Sequence, residues 1–160
     1  HCDRVKMANL AQTVNVLQAV ILTQGDKMIL TPTYHVFEMY KVHQDATLLP
    51  VQVSSQDYEF KGQKIAGLSI SASRDAAGAI HISLCNLDPH RPAKITMEVR
   101  GIKPQSVSGR ILTSPAINAH NTFEKPNELR PSPFEDFAIK GGAITVSLPE
   151  KSVAVLEIKS

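Results

Sequence analysis

At 160 residues, 42% hydrophobic and 20% charged, the chain has room for one sizeable domain or a small one with an appendage, and its composition is not that of a disordered segment. A net charge of +2 without a long basic block argues against nucleic acid or an anionic membrane as partner. Cys2 and Cys85 are the only cysteines, too few and too distant for a disulfide framework or a zinc spacing. The longest apolar run, residues 14–22, is too short and too interrupted to span a bilayer. No signal peptide is visible, and cytoplasmic and periplasmic locations both stay open.

The first quarter of the chain differs from the rest. Val5, Ala8 and Gln12 share one helical face, with Met7, Leu10 and Ala11 beside them, which predicts a short amphipathic helix. Residues 14–22 follow, apolar except for Asn15 and Gln18, and suit a strand buried on both faces, as in a parallel sheet covered by helices. A hairpin-like loop leads to Thr31-Pro32, which opens a second helix. The Thr hydroxyl can cap it, and Pro fits the first helical position, where its missing N–H is not needed. Val36, Phe37 and Tyr40 give that helix an apolar stripe. Helix, strand and helix with short links form a slice of an α/β fold. One slice cannot close a sheet, so the expectation is the end of a larger domain that begins upstream. Gln44-Asp45-Ala46 reads as a helix exit, and the domain boundary is expected near 45–50, dividing the chain into 1–46 and 47–160.

Beyond this point the period is two. Residues 48–53 alternate weakly. Ala66, Leu68, Ile70 and Ala72 point one way, with Gly67 suggesting a bulge. Residues 74–78 form a turn. Ile80, Ile82 and Leu84 alternate with His81, Ser83 and Cys85. Pro89 and Pro92 keep residues 88–92 out of any sheet. Ile95, Met97 and Val99 alternate with polar residues in a half-buried antiparallel strand, and residues 107–112 form another. Residues 113–135 have no period and carry Pro115, Pro126, Pro131 and Pro133, the mark of a long loop. Residues 137–139 and 143–148 flank Lys140-Gly141-Gly142, a hairpin signal. Residues 153–158 close the chain. Strands at this spacing without helices between them predict a mainly β fold, an antiparallel β-sandwich.

The run MANLAQTVNVLQAVIL, followed by TPTYHVFEMYKVHQ, resembles the C-terminal part of the α-L-arabinofuranosidases of glycoside hydrolase family 51. The resemblance continues through HNTFEKP at 120–126 and LPEKSVAVLEI at 148–158. It implies a jelly-roll-like sandwich over 47–160, preceded over 1–46 by a helix-strand-helix remnant of a (β/α)8 barrel. It further implies the C-terminal portion of a retaining exo-α-L-arabinofuranosidase that releases terminal arabinofuranosyl groups from arabinan or arabinoxylan. The implied partner is an arabinose-containing oligo- or polysaccharide, met by a full-length enzyme that forms a homo-oligomer. Neither nucleic acid, membrane, metal nor cofactor is expected.

A retaining glycosidase needs two carboxylates roughly 5 Å apart, one as acid/base and one as nucleophile. The family takes the acid/base from an Asn-Glu-Pro motif after a barrel strand. Asn127-Glu128-Leu129 is the nearest match here and fails: its third residue is Leu, and it sits in the proline-rich loop. Glu128 reads as a solvated charge. Glu135 and Asp136 are adjacent, so on a strand they face opposite sides. No catalytic residue is therefore expected in this chain. Gln18 is the candidate substrate-binding residue: it lies late in the apolar run, and in the resembling family the corresponding glutamine is a sugar-hydroxyl ligand near the C-terminal face of the barrel. The alternative is that Gln18 satisfies backbone groups. Asn15, earlier in the run, reads as structural. His35 and Glu38, one helical turn apart, offer two ligands where metal sites take three or four, and read as a solvated face. His81 and Cys85 share a strand face and are likewise too few, with Cys85 a small packed residue. Tyr34, Phe37 and Tyr40 stand between a sugar-stacking platform and core, and helical spacing favours core. A stand-alone β-sandwich binding a glycan or a protein is the competing reading. It leaves the first forty-four residues without a use, and the absence of Trp weakens it further.

Overall fold

Alternating hydrophobicity beyond residue 46 produces the antiparallel sandwich it predicts, while the opening stretch departs from expectation. The computed structural model describes residues 3–5, 7–10, 13–17 and 19–160. Residues 3–5 and 7–10 contain a turn and irregular backbone, not the amphipathic helix expected there; Lys6, Ala11 and Gln12 lie outside the described residues. Val5, Met7 and Leu10 are exposed. A short helix whose apolar stripe meets no packing surface has too few hydrogen bonds to repay its nucleation.

The strand expected over 14–22 is also revised. Val14 makes one isolated parallel bridge to Ile21. A tight turn follows, closed by the Ala19 N–H on the Val16 carbonyl at 2.6 Å. Regular pairing begins only with β1 (Ile21–Gln24), which turns back at Gly25 into β2 (Lys27–Leu30). Val14 and Leu17 are exposed, so the run is not buried on both faces. A parallel strand needs neighbours on its edges and cover on both faces, and the described part of this chain supplies neither.

Helix α1 (Pro32–Tyr40) begins as its first residues dictate: the Thr31 hydroxyl accepts the Tyr34 N–H, and Pro32 occupies the first turn. Its buried residue is Met39, with Val36 and Tyr40 partly covered; Phe37, assigned to the same stripe, is 55% exposed. A 3-10 turn, Lys41–His43, continues it.

The sandwich is built from β3 (Thr47–Leu49), β6 (Leu68–Arg74), β7 (Ile80–Asn86), β8 (Ala93–Glu98), β9 (Ser106–Thr113), β10 (Ser132–Pro133), β11 (Phe137–Lys140), β12 (Ala143–Leu148) and β13 (Ser152–Lys159). Between β3 and β6, β4 (Asp57–Phe60) and β5 (Gln63–Ala66) form a separate hairpin. One sheet has the order β10-β9-β13-β7-β6-β3 and the other β11-β12-β8, with every pairing antiparallel. Ile80, Ile82 and Leu84 of β7 and Ala154, Leu156 and Ile158 of β13 meet Ile144, Val146 and Leu148 of β12 in one core.

Gly67 divides what reads in sequence as one strand. Its N–H donates to the Gln56 carbonyl at 3.0 Å. A Cβ placed there would lie 2.5 Å from that oxygen, so only glycine permits the approach. Ala66 therefore ends β5, and Leu68 starts β6. The expected hairpin at Gly141-Gly142 is present, both residues in the left-handed region (φ +58° and +85°) as a two-residue turn between twisted strands prefers. The β4–β5 turn at Lys61-Gly62 follows the same rule.

The six-stranded sheet is covered on its outer face as well. Met39 of α1 packs with Leu112, Val155 and Leu129, placing the helix over β9 and β13. His81 and Ser83, on the outer face of β7, are consequently buried.

Candidate functional site

Gln18, the residue proposed from sequence to touch substrate, lies outside the described residues. Its surroundings are well defined. Asn15 adopts a left-handed conformation (φ +58°), which asparagine tolerates better than most residues. Its Nδ2 donates to Thr23 Oγ1 and its Oδ1 accepts the Thr23 N–H, both at 2.7 Å. These bonds make Asn15 structural, as expected. The Thr31 N–H donates to the Val20 carbonyl at 3.1 Å, and Thr31 Oγ1 donates to the Ala19 carbonyl at 2.8 Å. One threonine thus starts α1 and ties down the chain immediately after position 18.

A second anchor comes from the long loop between β9 and β10. Asn121 is buried there, and its Nδ2 donates to the carbonyls of Leu129 and Leu30, each at 2.8 Å. Its Oδ1 accepts the Leu129 N–H at 2.7 Å. Nothing in the local pattern of HNTFEKP marks Asn121 as a tether, because its partner Leu30 is 91 positions away.

His43 is the other residue that sequence reading missed. Its Nδ1 lies 2.7 Å from Ser73 Oγ and its Nε2 lies 2.5 Å from Ser83 Oγ, so the imidazole bridges β6 and β7 beneath the 3-10 turn. Burial, and then the neighbouring His81, lower its pKa below the usual value. The neutral ring accepts one serine hydroxyl and donates to the other.

The remaining candidates separate. Glu38 forms ion pairs with Arg110 at 2.9 Å and Lys41 at 3.4 Å, which engages its carboxylate away from any metal role with His35. Burial lowers the His35 pKa, with Glu38 opposing that effect. His81 Nε2 meets Asp75 Oδ2 at 2.9 Å, and the hydrogen bond from His81 holds the Asp75 carboxyl below its usual range. Burial pushes the Cys85 thiol up, which favours its protonated form. Among the described residues, no three or more His, Cys, Asp or Glu side chains group as metal ligands. Tyr40 packs at the helix–sheet contact and Phe37 faces outward.

Glu128 is an exposed loop charge 3.7 Å from Lys125. Glu135 and Asp136 border an open depression of about 450 Å³ with Ile111, Phe134 and Pro149.

The family model described as the α-L-arabinofuranosidase C-terminal domain matches residues 1–152. An intracellular exo-α-L-arabinofuranosidase of Bacteroides ovatus is 44% identical over 160 residues, 99% of this chain and 31% of that protein. The crystal structure of a family 51 arabinofuranosidase from Xanthomonas axonopodis pv. citri superposes with a TM-score of 0.97 at 43% identity, over 99% of this chain and 32% of that one. The Thermotoga maritima α-L-arabinofuranosidase, solved as an arabinose complex, gives a TM-score of 0.83 at 27% identity, over 96% of this chain and 34% of that one. The chain thus spans about a third of the length of the relatives it matches. By sequence along most of its length and by the sandwich it forms, this chain belongs to the family of α-L-arabinofuranosidase C-terminal domains.

Proposed function

We propose that this chain is the C-terminal portion of a retaining exo-α-L-arabinofuranosidase that removes terminal arabinofuranosyl groups from arabinan or arabinoxylan. The observation that carries the reading is the 44% identity, along 99% of the chain, to an exo-α-L-arabinofuranosidase about three times as long. In this reading residues 1–46 complete a (β/α)8 barrel, and residues 47–160 form the sandwich that braces it. The catalytic carboxylates belong to the part of the enzyme outside this chain. In this reading the exposed Val14, Leu17, Met28 and Phe37 of the opening segment face the rest of the enzyme. Exposed apolar side chains that cluster mark a surface for contact with other protein.

Gln18 serves as a substrate contact. A side-chain amide both donates and accepts, which suits a sugar hydroxyl that does the same. The full-length enzyme is a homo-oligomer in this reading, which sedimentation of that enzyme tests.

The central experiment compares the full-length enzyme with the isolated chain on an aryl α-L-arabinofuranoside. The longer protein is expected to turn the substrate over with retention of configuration, and the isolated chain to show none. Turnover by a pure sample of this chain, verified by mass spectrometry, would overturn the reading. Gln18→Ala in the full-length enzyme is expected to lower kcat/KM by about 5- to 150-fold while leaving the fold intact. An unchanged value removes Gln18 from the site.

A further inference from the structure

We infer that Asn121 is a positioning residue: acting through the Leu30–Thr31 junction, it holds the chain at Ala19 and Val20, next to position 18, at the substrate face of the full-length enzyme. The inference rests on the function proposed above for the opening segment.

Asn121 is 4% exposed, and all three of its hydrogen bonds go to backbone groups. The two bonds to Leu129 stay within the loop between β9 and β10. The third leaves the sandwich altogether and ends on the carbonyl of Leu30, the last residue of β2. The next residue is Thr31. Its N–H holds the Val20 carbonyl, and its hydroxyl donates to the Ala19 carbonyl while accepting the Tyr34 N–H. A continuous path of backbone and hydrogen bonds therefore runs from a sandwich loop to the start of α1 and to Ala19 and Val20. Ala19, where it ends, is 2% exposed, so the path ends on a seated residue next to position 18. Neither Asn121 nor Thr31 need touch the sugar; together they set where Ala19 and Val20 sit. Displacement of a substrate-holding group by about 1 Å can cost up to a hundredfold in rate.

The test uses the full-length enzyme with Asn121→Asp, Thr31→Val, Thr31→Ser and the double variant Asn121→Asp/Thr31→Val. Asn121→Asp keeps the acceptor for the Leu129 N–H but sets a carboxylate oxygen against the carbonyls of Leu30 and Leu129. Thr31→Val keeps the shape and loses the hydroxyl, which Thr31→Ser restores. Each disrupted variant is expected to lose about tenfold or more in kcat/KM on an aryl α-L-arabinofuranoside, corrected for folded fraction. Thr31→Ser stays near wild type. The double variant falls little below the worse single one, because both break the same path. Hydrogen exchange at the Ala19 and Ile21 amides rises in both single variants. A lower Tm with unchanged kcat/KM of the folded fraction overturns the inference, and so do losses that multiply in the double variant. If Asn121→Asp does not fold, the Thr31 pair with the exchange measurement decides alone. A wild-type full-length enzyme inactive on arabinofuranosides instead overturns the underlying function, and this inference with it.

Discussion

His43 illustrates how one side chain can link a helix to a sheet through a proton-dependent contact. Its ring bridges Ser73 and Ser83, and its pKa is depressed chiefly by burial. A depressed folded-state pKa means that the unfolded chain takes up the proton first. The contribution is therefore fully present above the unfolded value of 6.5 and is lost as pH falls through the folded value. His35 shifts in the same direction. Tm is expected to drop between about pH 7.5 and pH 5.5, and His43→Gln to remove part of that drop, with His35 contributing in the same direction. Thermal melts of both proteins across this range check it. Equal slopes would show that His43 contributes nothing. Asp75, Asp88 and Glu150, whose pKa values are lowered by hydrogen bonds and nearby cations, become limiting only at more acidic pH.

At the scale of the element, α1 is the part of the opening region that packs on the six-stranded sheet. It is only nine residues long, too short to persist alone in water. Its stability comes from Met39 against Leu112, Leu129 and Val155, assisted by the Thr31 cap and the Glu38–Arg110 ion pair. The ion pair is partly exposed on both sides and contributes about 0–1 kcal/mol. Burial of Met39 dominates, so Met39→Ala is expected to destabilise this contact by about 2–5 kcal/mol. Because Met39 joins helix to sheet, faster amide exchange should appear throughout α1 before it appears in β13. Uniform loss of protection across both elements would show instead that helix and sheet unfold as one unit.

At the scale of the whole molecule, protection should follow the layers. β7 and β13 lie inside the six-stranded sheet, paired on both edges and supplying much of the core. β1–β2 and β4–β5 are two-stranded ribbons outside both main sheets. Such ribbons are marginal with little packed surface: Met28 and Phe60 on them are 61% and 58% exposed, and Ile29 is their one buried residue. In a verified monomer of this chain, the ribbon amides are expected to exchange well before those of β7 and β13. Equal protection would mean that the ribbons have cover this fold does not provide. In the full-length enzyme, β1–β2 should gain protection if the opening segment packs against the rest of the protein.

The sequence by itself determined the features that depend on near neighbours. Period-two runs became β7, β8, β9, β12 and β13; Thr31-Pro32 started α1; Gly141-Gly142 turned a hairpin. The absence of Asn-Glu-Pro was equally plain in one dimension. Each rests on side-chain alternation, a cap or a φ preference, all set within a few residues. Only the tertiary structure decided what depends on distant partners. The opening run became one isolated bridge, a turn and the start of β1, which pairs with β2 in an antiparallel ribbon and not in a parallel sheet. The outer face of β7, polar by its residue types, became buried because α1 and the 3-10 turn cover it. His43 meets serines 30 and 40 positions away, and Asn121 meets a carbonyl 91 positions away. No local period encodes such pairings; the folded sandwich brings them together and leaves buried polar groups that must find a hydrogen-bond partner.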